Sequence, residues 1–188
     1  MPGYLAAFTI VLLMGLVLGR VAMLRRDGVR AMNFGKQDKT DFLIPPFAFF
    51  YFYLIFAAAF GWPTVTHQRF FLSDDLAWLG VALCLGGLIF LAMTLVSFGR
   101  SFRVGIDDER PDRLVTGGIF SVSRNPIYVA FWCILFGEFL IFPNEILLIY
   151  LAAATALFHR QVLREEAFLA GHYGAEFATY RARVRRYL

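Results

Sequence analysis

Five stretches of this chain are apolar over lengths close to the thickness of a lipid bilayer. A helix needs about 20 such residues to cross the hydrocarbon layer, and candidate spans lie at 4–24, 42–62, 76–98, 126–142 and 145–158. Hydrophobic residues make up 59% of the sequence, well above the share usual for a soluble domain. The first stretch is too long and too lightly charged at its start for a cleaved signal, because Met1-Pro2-Gly3 offers no basic leader. The last two are short, but Pro143-Asn144 between them reads as a tight turn joining antiparallel helices. The expected fold is therefore all-α: one polytopic, five-span membrane bundle over residues 1–188.

Basic residues orient such a bundle, since cytoplasmic segments carry the excess of Lys and Arg. Of the 18 Lys and Arg residues, all but Arg69 fall in three regions: the end of the first span (Arg20) with the segment after it, the connection between spans three and four, and the tail. Five spans with the N-terminus outside and the C-terminus in the cytoplasm accommodate that segregation. The net charge of +4 then reads as a cytoplasmic collar facing anionic headgroups, not as a nucleic-acid surface. Cys84 and Cys133 lie inside spans at different depths, and His67, His159 and His172 are scattered, so neither a disulfide nor a metal site is indicated. The aromatic run FAFFYFYLIF in span two suits packing against helices and lipid, or the wall of a groove for an acyl or prenyl chain.

Polar sequence concentrates in the 99–125 connection and the 159–188 tail. The connection is long for a compact bundle, which points to function or disorder. Its Phe102, Val104, Ile106, Leu114, Val115, Ile119 and Phe120 argue for order. The tail should continue span five as a helix to about Ala170, bend at Gly171 and Gly174, and resume as an amphipathic helix. Phe177, Tyr180, Val184 and Tyr187 form the apolar stripe of that last helix, which would lie on the membrane surface or fold back over the bundle.

Asn125-Pro126 has a plain structural reading: a side-chain cap and a proline at the first helical position. Arg124 does not fit it, because a cation beside a helix N-terminus opposes the dipole. A shared anion would remove the conflict, and Tyr128 directs a hydroxyl at the same region. Glu165 and Glu166 have no basic partner three or four residues away on their own helix. Solvated surface glutamates are one reading; pairing with an arginine of the 99–125 connection, or with a ligand cation, is the other. Glu138, near the outer end of span four, is expected to snorkel or to make a polar interhelical contact. These residues outline a cytoplasm-facing pocket with an anion-binding and a cation-binding half. VTGGIF matches neither a dinucleotide fingerprint nor a P-loop.

The order of LVTGGIFSVSRNPIY, a helical hairpin and REEAFLAGHYGAEFATYRARVRR resembles the isoprenylcysteine carboxyl methyltransferase family, a group that also includes phospholipid amine methyltransferases. The resemblance covers roughly the second half of the chain. It implies a five-span bundle with a cytosolic pocket for S-adenosyl-L-methionine. Arg124, Asn125, Pro126 and Tyr128 match an Arg-His-Pro-x-Tyr element, with Asn125 in place of the histidine, and Glu165 and Glu166 match an acidic pair. Both elements would bind cofactor, with Leu114, Thr116, Gly118 and Phe120 lining the adenosine and Glu166 and Arg124 as the catalytic pair. Arg100 and Arg103 would hold an anionic acceptor or the cofactor carboxylate, or else serve only as positive-inside anchors. The acceptor implied is lipophilic, an isoprenylcysteine-type carboxylate first, with phospholipid amines and small thiols as alternatives. An amine acceptor would also require a base such as Glu166. A non-catalytic membrane scaffold with the same fold is the rival from another class; a transporter would require broken helices and mid-membrane polar groups.

Overall fold

The computed structural model describes residues 1–26, 44–63, 70–98 and 114–188. Six α-helices fill these ranges: α1 (Pro2–Arg26), α2 (Ile44–Phe60), α3 (Asp74–Phe98), α4 (Pro126–Ile141), α5 (Glu145–Tyr173) and α6 (Ala175–Arg183). A 3₁₀ turn at Gly118–Ser121 precedes α4, and no strand occurs among the described residues. The apolar runs thus become helices. Of these, α1, α3 and α5 are long and apolar enough to cross a membrane. With 17 residues in α2 and 16 in α4, those two helices are about 26 and 24 Å long, somewhat short of the hydrocarbon thickness. Large apolar side chains point outward along the bundle: Leu18, Phe49, Ile89, Val96 and Ile149 are each more than half exposed. Exposure on that scale suits contact with lipid rather than water.

Local chemistry sets most helix ends. Ser73 Oγ accepts from the backbone N–H of Leu76 at 3.3 Å, and Asp74 and Asp75 occupy the favourable first turn of α3. The α4–α5 connection is held by Asn144, whose Oδ1 accepts from Leu147 N at 2.9 Å while its Nδ2 donates to Phe142 O at 2.8 Å. Pro126 occupies the start of α4 as expected, but Asn125 makes no side-chain cap; its amide is used elsewhere. Helix α5 runs unbroken through Gly171 to Tyr173 and stops at Gly174, whose φ of +49° is open to glycine without strain. The amphipathic segment that follows is shorter than its stripe suggests. Phe177 and Tyr180 are buried on α6, whereas Val184 is already extended. The reason is visible in the site: the backbone carbonyls after Arg183 are drawn onto the start of α4.

Helices α3 and α4 pack along a seam of small residues. A methyl group placed on Gly80 would come within 2.5 Å of Gly137 O, one on Gly137 within 2.7 Å of Cys84 Sγ, and one on Gly87 within 2.9 Å of Ala130 O. Small residues at such spacing let helix backbones touch where lipid offers no hydrophobic drive for association. Glu138 follows directly on this seam. It is 0% exposed, so it does not snorkel, because the helix face that carries it is the one pressed into the bundle.

Candidate functional site

The candidate site forms where the 3₁₀ turn, the start of α4, the lower part of α5 and the segment after α6 meet. With 29 residues, α5 is about 44 Å long, well beyond a bilayer's apolar thickness. Its last turns carry Arg160, Arg164, Glu165 and Glu166 outside the apolar stretch. The 3₁₀ turn is seated against the end of α3. Ile119 N donates to Ser97 Oγ at 3.3 Å, and the rings of Phe98 and Phe120 meet edge to face at 4.7 Å.

Arg124 and Glu166, 42 residues apart in sequence, form the centre. Arg124 Nε and Nη2 donate to Glu166 Oε1 at 3.2 and 3.0 Å, with both side chains only 8% exposed. Asn125 Nδ2 donates to the same oxygen at 3.1 Å. Arg186 closes the other side, its Nε and Nη2 lying 3.0 and 2.9 Å from Glu166 Oε2. The anion that relieves the charge of Arg124 is therefore the protein's own carboxylate. The remaining nitrogen of Arg124 serves a second helix end: Nη1 donates to Arg181 O and Val184 O, both at 3.0 Å, a favourable place for a cation.

The segment after α6 is fastened by its backbone as well. Arg124 N donates to Arg185 O at 3.0 Å, Asn125 Nδ2 to Arg186 O at 3.1 Å and Tyr180 Oη to Phe120 O at 2.7 Å. Tyr187 Oη lies 2.8 Å from His159 Nδ1 on α5. Arg186 was not singled out in the sequence, since nothing there separates it from Arg181, Arg183 and Arg185. The only available signal was that a buried carboxylate with one external cation has two oxygens to satisfy.

Glu165 stands apart from this lattice. Tyr128 Oη donates to its Oε1 at 2.6 Å and Gln161 Nε2 at 3.0 Å; no cation pairs with it, and no partner reaches its Oε2, among the described residues. Burial pushes the Glu165 carboxyl above its ordinary range, against the hydrogen bonds from Tyr128 and Gln161. For Glu166 burial acts in the same direction, but hydrogen bonds and charge from Arg186 and Arg124 outweigh it and hold the carboxyl below that range. Adjacent carboxyls driven apart in this way are suited to different roles.

The structure brings Arg124, Asn125, Tyr128, Glu165 and Glu166 together, with Pro126 at the start of the helix that carries Tyr128. Of the expected adenosine lining, Phe120 is buried against Phe98, Leu114 is half-buried, and Thr116 and Gly118 are exposed. Arg100 and Arg103 lie outside the described residues. Among the described residues no cluster of His, Cys, Asp or Glu is arranged to hold a metal. A cavity of about 250 Å³ opens at the opposite end of the bundle, beside Ser73, Asp74 and Pro143, away from the glutamate pair.

A multi-helix membrane bundle with a polar site at one end is the class that this architecture defines. The chain belongs to the phospholipid methyltransferase family, whose model matches residues 76–176, from α3 into α6. It is 30% identical over 105 residues to the protein-S-isoprenylcysteine O-methyltransferase of Schizosaccharomyces pombe, covering 54% of this chain and 44% of that protein. The Xenopus laevis protein of the same name is 26% identical over 136 residues, 68% of this chain and 47% of that protein. The chain thus spans under half the length of these curated relatives.

Proposed function

We propose that this chain is an integral membrane methyltransferase that uses S-adenosyl-L-methionine and acts on a lipophilic acceptor at the cytoplasmic face. The observation that carries the proposal is the meeting of Arg124-Asn125-Pro126-Ile127-Tyr128 with Glu165-Glu166 at one end of the bundle. The donor set fits such a cofactor. Glu165 Oε2 is an acceptor without a partner among the described residues, suited to an ammonium or a ribose hydroxyl, and Tyr128 orients that carboxyl. When bound, the cofactor supplies an activated methyl group on a sulfonium; the chain's task is to position it and to exclude water.

Within this reading Glu166, Arg124 and Arg186 hold the site's shape, and Pro126 begins the helix that carries Tyr128. The proton-accepting role expected of Glu166 suits Glu165 better. Glu166 is locked between two arginines and held in its ionised form, whereas the carboxyl of Glu165 lies above its ordinary range. Leu114, Thr116, Gly118 and Phe120 remain the proposed adenosine wall, and Arg100 and Arg103 the proposed acceptor anchors.

An isoprenylcysteine-type carboxylate is the acceptor that the relatives' names favour. A phospholipid amine is the second reading, favoured by the name of the family, and it is the one that needs a base. The topology proposed is five spans, N-terminus outside and C-terminus cytoplasmic, supported by the segregation of basic residues. Calorimetric titration of the purified protein with S-adenosyl-L-methionine and S-adenosylhomocysteine tests the proposal. Saturable binding that is lost in Glu165→Ala supports it; no binding by folded wild type overturns it.

A further inference from the structure

The proposed methyl-transfer site leaves one set of buried polar atoms unexplained, and they gather towards the other end of the bundle. Glu138 on α4 is 0% exposed, and neither of its carboxyl oxygens has a hydrogen-bond partner among the described residues. Tyr51 on α2 is 6% exposed, and its hydroxyl lacks one too. The two share an environment: Ile141, one turn on from Glu138 on the same face of α4, lies in the same packed cluster as Tyr51, and a methyl group on Gly137 would come within 2.7 Å of Cys84 Sγ. Tyr51, Cys84 and Tyr150 belong to one packed cluster. The neighbouring polar groups are already committed. Thr9 Oγ1 donates to Leu5 O at 2.9 Å, Cys84 Sγ lies 3.7 Å from Ile134 O, and Tyr150 Oη donates to Phe47 O at 3.0 Å. Glu138 lies 12 residues into α4 from Pro126, about 18 Å along the helix, so it is no part of the glutamate-pair site.

Orphan polar atoms in an apolar interior are costly, and an ionised carboxylate there more so. Two classes of small ligand would relieve them. A hard cation takes about six oxygen ligands or more, and the unpartnered side-chain atoms supply only the two carboxyl oxygens and one phenol. A buried water makes about three hydrogen bonds to otherwise unsatisfied groups, which matches them. We propose that Glu138 and Tyr51 form an internal water site inside the helix bundle, in which one or two water molecules bridge the phenol to Glu138 in its carboxylic acid form. The site ties α2 to α4 through a hydrogen-bonded link that the protein atoms do not make by themselves.

Infrared spectroscopy of the full chain in lipid nanodiscs at neutral pH tests this. The expected result is a carboxylic acid C=O band that is lost in Glu138→Gln and displaced in Tyr51→Phe. A water O–H band that shifts in H₂¹⁸O and disappears in Glu138→Gln or Tyr51→Phe is expected with it. The thermal midpoint of Tyr51→Phe should fall, since the variant loses a bridge. An unchanged acid band in Tyr51→Phe, or no ¹⁸O-sensitive band, overturns the proposal. So does a carboxylate band accompanied by a midpoint that rises with sodium or potassium, which would assign the site to a cation. Both substitutions keep the shape of the side chain, so the test does not depend on a variant that leaves a cavity.

Discussion

Glu165 and Glu166 share one stretch of helix, yet each carboxyl is defined by what lies across from it. Glu166 and Arg124 are both 8% exposed, and removing one member of a buried pair strands the other. Glu166→Gln should therefore cost on the order of 3 kcal/mol of stability, read as a lowered thermal midpoint. Arg186, 37% exposed, is screened by solvent, and Arg186→Ala should cost about 1 kcal/mol or less. The depressed carboxyl of Glu166 also fixes a pH dependence. Its contribution is complete above the ordinary carboxylate range, about pH 4, and is lost as pH falls through the lower folded value. Acid unfolding of wild type should show this limb, and Glu166→Gln should flatten it. Glu165 carries the opposite signature. Its stabilising share belongs to the protonated form and fades as pH rises through its raised folded value. If the ionised form binds the cofactor, affinity should increase over that same rise, and Glu165→Gln should abolish the increase. That Glu166 needed a partner outside its helix was legible from the absent i±4 cation. That Asn125 would spend its amide on Glu166 and Arg186 O, leaving α4 uncapped, was not, because capping is a local rule and this contact is between distant segments.

The helices themselves were legible because a run of apolar residues needs no partner to reveal it. What joins them was less so. The α3–α4 seam depends on Gly80, Cys84, Gly87, Ala130 and Gly137 facing one another, and no single helix's pattern displays a pairing between two. A direct contrast tests the seam. Gly137→Ala drives a methyl into Cys84 and the Gly80 carbonyl and should cost about 1–3 kcal/mol, as overpacking does. Gly86→Ala, on the same α3 but with nothing within 4 Å, should be neutral or stabilise by up to about 1 kcal/mol. Thermal unfolding in detergent compares the two, and equal effects would deny the seam its role. The same limit of local pattern hid the end of α6. A stripe at Phe177, Tyr180, Val184 and Tyr187 predicts a continuous helix, but the carbonyls of Val184, Arg185 and Arg186 find donors on Arg124 and Asn125, and the chain leaves the helix to meet them.

For the molecule as a whole, charge distribution and helix lengths lead to a topology that labelling can check. Single cysteines placed at Arg69 and at Leu188, in a background lacking Cys84 and Cys133, should react with an impermeant maleimide from opposite sides of sealed vesicles. Labelling from one side would remove an odd number of spans. The fastening of residues 181–187 onto Arg124 and Asn125 also has a consequence for biogenesis. A nascent chain is delivered from its N-terminus onward, so the start of α4 and its arginine are inserted while their partners have yet to be translated. Until residues 181–187 leave the ribosome, Arg124 lacks the carbonyl acceptors of Arg181 and Val184, and Glu166 is the one acceptor of those named here that can reach it earlier. A bundle assembled in this order completes its polar site only after the helices that must contain it are already in the membrane.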